Sequence, residues 1–269
     1  MAISETPSFP ARDPRWWRME ELLLEMRTIW FGAVPRPFHS GTLLVEPEGE
    51  LVGLVDGTPE EADALVAEAR RRQAYVVVTP FTQPHDLSSR LRAAGYRLVQ
   101  RQGTYIYEPG DQPAPLRPAR RGLIRLLRRP LPIRIEVVGE DRLPLWNRIC
   151  YTAFGPRGQT EEESLREKER AFANMGPAGT WYLAYAGDEP AATAILYQGR
   201  EASELLAVGT VPRFRGRGLA TALVRRAIAD FSRRGQGFLF LDTRPGSGPE
   251  RLYAKLGFRP AYVRSIYGL

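Results

Sequence analysis

Six consecutive residues, Arg213-Phe214-Arg215-Gly216-Arg217-Gly218, could do chemistry as a set. They follow the strand-like run Ser203 to Val208 and the connection Thr210-Val211-Pro212. They precede Gly218 to Arg234, where Leu219, Leu223, Val224, Ala227, Ile228 and Phe231 recur at helix spacing and Arg225, Arg226, Arg233 and Arg234 fall on the wet side. A helix start presents several converging N–H groups and the positive end of its dipole, which suits a diphosphate. Gly216 and Gly218 let the backbone approach closely and adopt φ values that other residues avoid. The three arginines add positive charge. Arg- and Gly-rich loops are common in an arginine-rich chain, so the setting between strand and helix carries more weight than the six residues themselves.

Other reactive side chains are few. Cys150 is the only cysteine, which excludes an internal disulfide and a cysteine-built zinc site. On a mostly apolar helix it reads as a small buried hydrophobe. His39 and His85 are the only histidines and read as structural or surface residues; no metal site is expected. Trp181, opening a strand, reads as core.

These residues need elements to position them. A strand-like run Ile133 to Val138 leads to a helix over Leu143 to Phe154 and a charged helix over Glu161 to Phe172. Trp181 to Ala186 and Ala191 to Tyr197 read as an antiparallel hairpin around Gly187-Asp188-Glu189-Pro190. Gly235 ends the long helix. Phe238 to Leu241 is then a buried strand, Pro249 to Leu256 a short helix, and Phe258 to Tyr267 supplies the last strands. Strands first and βαβ afterwards predict a mixed α/β (α+β) architecture, a largely antiparallel sheet with helices on both faces.

The pattern Arg213-x-x-Gly216-x-Gly218 resembles the Q/R-x-x-G-x-G/A signature of the GNAT superfamily of N-acetyltransferases. The run Leu252-Tyr253-Ala254-Lys255-Leu256-Gly257-Phe258 resembles the same family's later helix-to-strand element. The resemblance covers about Ile133 to Leu269 and implies direct acetyl transfer from acetyl-CoA, as cosubstrate, to an amine. It assigns CoA binding to Val211, Arg213, Arg215, Gly216, Arg217, Gly218, Leu219 and Ala220. It implies that the strands Ser203 to Val208 and Phe238 to Leu241 splay to admit the pantetheine arm. It also places Tyr253 as the general acid for the departing thiolate, a role that a phenol suits; the plainer reading is a packing aromatic. Glu204 lies where family members often carry the base, and Glu161, Glu162 and Glu163 lie where the acceptor site is usually built. Glu204 could equally be a strand-edge charge, and the triplet a helix N-terminal cluster favoured by the dipole.

The chain has 269 residues, enough for two domains, with 43% hydrophobic and 26% charged residues as in globular proteins. No apolar run approaches the ~20 residues needed to cross a bilayer, and Met1 to Arg18, with Glu5, Asp13 and three prolines, does not read as a signal peptide. A cytoplasmic protein is the plain reading. Of the 38 basic residues only Lys168 and Lys255 are lysines. The net charge of +7 comes largely from residues 113–132, which hold six arginines and no acid. That concentration argues against a nucleic-acid-binding face. The same Pro- and Arg-rich segment reads as a linker. Its middle, Arg120 to Arg129, could form a short basic helix for a membrane or RNA, but a linker packing its Leu and Ile between domains is simpler.

Residues 1–112 echo the later plan: helix Glu60 to Arg72, strand Tyr75 to Thr79, helix Leu87 to Ala94, then Gly95-Tyr96. From strand start to glycine the spacing is 20 residues here and 19 from Phe238 to Gly257, which suggests an internal duplication. We therefore expect tandem GNAT-like domains: 1–112 degenerate, 113–132 linker, 133–269 catalytic. Leu91 stands where Tyr253 stands in the other half, and Leu51 to Pro59 has no Arg/Gly loop but has Asp56, which would repel a pyrophosphate. The first half would then bind no CoA productively and could wall the acceptor site or form a homodimer surface. Trp16-Trp17-Arg18 through Trp30-Phe31 reads as a helix with an aromatic face. The acceptor would be a small-molecule or peptide amine. The alternative is a non-catalytic acetyl-CoA sensor or interaction protein.

Overall fold

A computed structural model describes residues 13–46, 49–110, 132–156, 158–234 and 237–269. The expected linker 113–132 lies, apart from Pro132, outside these residues, as does Gly235.

In the first half, α1 (Pro14–Phe31) is followed by the meander β1 (Val34–Phe38), β2 (Gly41–Glu46) and β3 (Gly49–Gly53). Then come α2 (Pro59–Arg72), β4 (Tyr75–Val78), α3 (Leu87–Ala93) and β5 (Arg97–Tyr107). The second half runs β6 (Ile133–Val137), α4 (Leu143–Phe154), α5 (Glu161–Met175), β7 (Gly179–Ala186), β8 (Glu189–Gln198), β9 (Ala202–Thr210), α6 (Leu219–Arg234), β10 (Phe238–Thr243), α7 (Gly248–Ala254) and β11 (Arg259–Gly268). Two boundaries differ from the sequence reading. Glu189 and Pro190 belong to β8, so the hairpin turn is only Gly187-Asp188, and Phe258 to Tyr267 yields one long strand. Pro190 is tolerated because its missing N–H falls at the bulge where the β7–β8 register shifts.

Among the described residues eleven strands form one sheet in the order β1-β2-β3-β4-β11-β5-β10-β9-β8-β7-β6. Every pairing is antiparallel except β3–β4 and β9–β10, where a single helix, α2 or α6, connects the two neighbouring strands. The halves do not keep separate sheets. The last strand of the first half, β5, pairs with β10, and the last strand of the second half, β11, pairs with β4. β5 and β11 pair antiparallel with each other at the centre. Each half thus completes its sheet with the other's final strand.

The two sheet faces carry different helices. Trp181 packs against Trp146 of α4, Phe172 of α5 and Trp30 of α1, placing these three helices on one face. Its neighbour Tyr182 points the other way, as strand residues alternate, and its phenol donates to Asp230 of α6 at 2.7 Å. The apolar stripe of α6, Leu219, Leu223, Val224, Ala227 and Phe231, is fully buried there. In the first half, Leu65 of α2 and Leu87 and Leu91 of α3 cluster with Val76 and Tyr267 on that same second face, while Leu44, Leu51 and Val77 meet Leu24 of α1 on the first. Among the described residues no helix is long and apolar enough to cross a membrane.

Candidate active site

Strand β9 ends in a bulge. Ile195 faces Leu206 and Thr193 faces Gly209, so three residues of β9 oppose two of β8. The extra residue, Ala207, takes φ +51°, and the Thr193 hydroxyl donates to its carbonyl at 3.1 Å. Just before this kink β9 and β10 part: their ladder holds from Ala202↔Phe238 to Glu204↔Phe240 and stops. The sheet is therefore split at Glu204, with β9 and β10 as its lips.

The Arg/Gly loop closes one end of the split. Pro212–Phe214 form a single 3-10 turn, and Gly216 and Gly218 take φ +76° and +90°. A side chain at either would meet no crowding, so the requirement is conformational. The first backbone bond of α6 runs from the Ala222 N–H to the Gly218 carbonyl at 2.9 Å. It leaves the amides of Gly218, Leu219 and Ala220 outside the helix ladder and available to an anion.

The three loop arginines diverge. Arg215 donates to the carbonyls of Thr210 (3.1 Å) and Ala153 (3.0 Å), so it ties the loop to the end of α4. Arg213 is exposed, pairs with Glu189 at 2.7 Å and lies over the Phe214 ring, as Arg217 does. Both keep exposed guanidinium groups beside the loop. Val211 is buried, with its N–H on Ala191 and its carbonyl accepting from Phe214, both at 2.9 Å. Only its side chain is left for a ligand.

Glu204 and Tyr253 lie on opposite faces of the sheet. Tyr105 donates to Glu250 of α7 at 2.6 Å, while its strand neighbour Thr104 donates to Asp242 of β10 at 2.7 Å. Helix α7, which carries Tyr253, therefore sits on the α6 face, and Asp242 points to the α1 face with the paired residues Phe240 and Glu204. The Tyr253 phenol is 6% exposed and packs edge-on against Phe258, and burial pushes it up to about 12. It stays protonated at any working pH.

Glu204 sits in a buried polar cluster that the sequence reading missed. Tyr262 of β11 donates to Glu20 of α1 at 2.6 Å. Arg264, two residues along β11 on the same face, is bonded to Asp242 and lies 3.5 Å from Glu20. Gln102 of β5 donates to Asp242 at 3.2 Å. Glu20, Glu204 and Arg264 are 2%, 7% and 8% exposed. Two buried atoms of this cluster have no hydrogen-bond partner among the described residues, Oε2 of Glu204 and Nε of Arg264. Burial raises the Glu204 carboxyl to about 7, and Arg264 and then Arg27 oppose that rise. A signal for these residues was present: Glu20 stands on the apolar stripe of α1, and Arg264 alternates with Tyr262 and Ile266 in an otherwise apolar register.

The acidic triplet is elsewhere. Glu161, Glu162 and Glu163 are exposed at the start of α5, where Glu163 and Thr160 form a capping box. Cys150 and Trp181 are buried; His39 and His85 are exposed.

The first half repeats the bulge without the opening. Thr42 faces Gly53, and the Asp56 N–H donates to Ser40 at 3.0 Å, again three residues against two, with Leu54 at φ +50°. Here the parting of β3 and β4 is bridged: the Gly57 N–H donates to the Gln83 carbonyl (3.1 Å) and the Gln83 N–H to Val55 (3.3 Å). The start of α2 is occupied by a Thr58–Glu61 capping box. Backbone fills the split, and a carboxylate takes the place of an anion.

Compared with known proteins, residues 143–258 match the acetyltransferase (GNAT) family. No curated protein sequence matches the chain. Among solved structures it is similar to a GCN5-related N-acetyltransferase from Kribbella flavida, at 19% identity and TM-score 0.65, covering 93% of this chain and 94% of that one. It is similar to a functionally unknown conserved protein from Staphylococcus epidermidis, at 9% identity and TM-score 0.60, covering 90% and 96%. A tandem GNAT protein from the clavulanic acid biosynthesis pathway shares 12% identity and TM-score 0.60, covering 85% of this chain and 78% of that one. At these identities the likenesses show the fold.

Proposed function

We propose that residues 143–258, which match the acetyltransferase (GNAT) family, form a domain that moves an acetyl group from acetyl-CoA directly to an amine, on a small molecule or a peptide N-terminus. The observation that carries this reading is the split between β9 and β10 just past Glu204, ended by a helix start with free amides. The pyrophosphate would lie on Gly216, Gly218, Leu219 and Ala220, with Arg213 and Arg217 beside it, and the thioester would lie in the split. Arg215 would shape the loop, and Val211 would offer only its side chain. The amine would approach from the Glu204 face. As its nitrogen bonds to the acetyl carbon, its proton would pass to Glu204, directly or through water. The carbon–sulfur bond then breaks, and Tyr253 would protonate the leaving thiolate from the opposite face.

In the same reading residues 1–112 are a degenerate repeat, 113–132 a linker and 133–269 the catalytic part. Because the first repeat's split is bridged by Gln83, one CoA would bind per chain. Release of free thiol from acetyl-CoA in the presence of an amine panel tests the activity. Tyr253→Phe should lower kcat by about 10²-fold or more, with CoA affinity unchanged in calorimetric titration. CoA binding with no thiol release over the whole panel would instead identify a sensor.

A further inference from the structure

The polar cluster on the α1 face is built by both halves and converges on one guanidinium. Arg264 leaves β11, crosses β5 and reaches Asp242, which lies on β10 just past the point where that strand parts from β9. Glu20 of α1 flanks it at 3.5 Å, and Thr104 and Gln102 of the intervening strand β5 donate to Asp242. Three of these anchors, Glu20, Thr104 and Gln102, come from the first half. Strand exchange makes this possible by seating β5 directly beside β10.

Glu204, on the facing lip, accepts no hydrogen bond at Oε2. The charged and titratable groups around it come from four elements. Arg27, Glu20 and Glu25 come from α1, Tyr197 from β8, Asp242 from β10, and Tyr262 and Arg264 from β11. Arg27 is engaged with Glu46 at 2.6 Å, and Tyr197 donates to Glu25 at 3.0 Å. Arg264 is the buried cation among them; its Nε faces Glu20 at 3.5 Å but makes no hydrogen bond.

We propose that Arg264 is the positioning residue of the acetyl-transfer centre: held over the split by Glu20, Asp242, Thr104 and Gln102, it fixes the charge state in which Glu204 meets the amine. The inference rests on the reading of Glu204 as the base, and it makes the first half a working part of the catalytic centre. A buried carboxylate without a nearby cation would stay protonated and could not accept a proton at neutral pH. Arg264 supplies that cation without bonding to the carboxylate, so Oε2 keeps its capacity for the incoming amine. Glu20 and Asp242 temper the cation and keep it from capturing Glu204.

Two substitutions should move the same property in opposite directions. Arg264→Gln removes the cation and should raise the pH at which Glu204 ionises by about one unit. Glu20→Gln removes a neighbouring acid and should lower it. Arg264→Lys should restore most of the effect, because it keeps the charge while losing the fork. The direct readout, which needs no acceptor, is the infrared carboxyl stretch of the full-length protein followed against pH, with Glu204→Gln identifying the band. The functional readout is the acid limb of kcat/KM, which should move with the band. If neither variant shifts the band, or both shift it the same way, Arg264 is merely structural and the proposal is overturned. If the band shifts as expected while kcat/KM has no limb, the positioning holds and the assignment of Glu204 as base fails. Should Arg264→Gln not fold, Glu20→Gln and Arg264→Lys still decide.

Discussion

With its carboxyl raised from 4.5 to about 7 by burial, Glu204 makes the stability of the folded chain depend on pH. The sign is opposite to that of a salt-bridged carboxylate. The folded state holds the proton more tightly than the unfolded one, so this contribution is complete below about pH 4.5 and is lost as pH rises through 7. A shift of that size corresponds to roughly 3 kcal/mol. Glu204→Gln should therefore melt higher than the parent at pH 8 and close to it at pH 4.5. Thermal scans at the two pH values check this, and an equal gap at both would mean that Glu204 ionises like an exposed acid. Tyr253 and Glu204 were legible as residues because each sits in a short local pattern. Arg264 and Glu20 were visible only as charges in apolar registers, and nothing in the sequence joins positions 244 residues apart. Their meeting depends on which strands neighbour which.

The elements that could be read are those with local causes. Helix α6 follows from its apolar spacing, and the β7–β8 hairpin from alternation and a short turn. The bulge is less legible, since Ala207 and Leu54 are not residue types that announce a positive φ. Its recurrence in both halves is structural evidence for duplication, beside the matched spacing of strand and glycine. The two copies should respond differently to damage. Gly218→Ala places a side chain at φ +90°, which costs about 1–2 kcal/mol, and it should weaken CoA binding about tenfold by turning the loop amides. Thr58→Ala removes the cap of α2 and should cost about 1 kcal/mol with no change in CoA affinity. Calorimetric titration and thermal melts of both variants separate the cases. A loss of CoA affinity in Thr58→Ala would contradict the reading that the first repeat is closed.

At the scale of the molecule the decisive fact is the exchanged pair β5 and β11. Long-range pairing of this kind leaves no local trace, so the expected two sheets are one. Separated at the linker, residues 13–110 and 132–269 would each expose a strand whose partner is on the other piece, a poor arrangement for a soluble fragment. Neither piece alone should give a cooperative melt, whereas the two co-expressed should assemble and bind CoA. A soluble 132–269 fragment with full CoA affinity would show the exchange to be dispensable. There is also an order in time. During synthesis β5 leaves the ribosome more than a hundred residues before β10, and β4 waits nearly two hundred for β11. The centre of the sheet is thus assembled last, from strands made at opposite ends of translation, and neither repeat can close its core early. The candidate site is completed in one late step, so on the proposed reading a ribosome stalled before β11 would release nothing partly active.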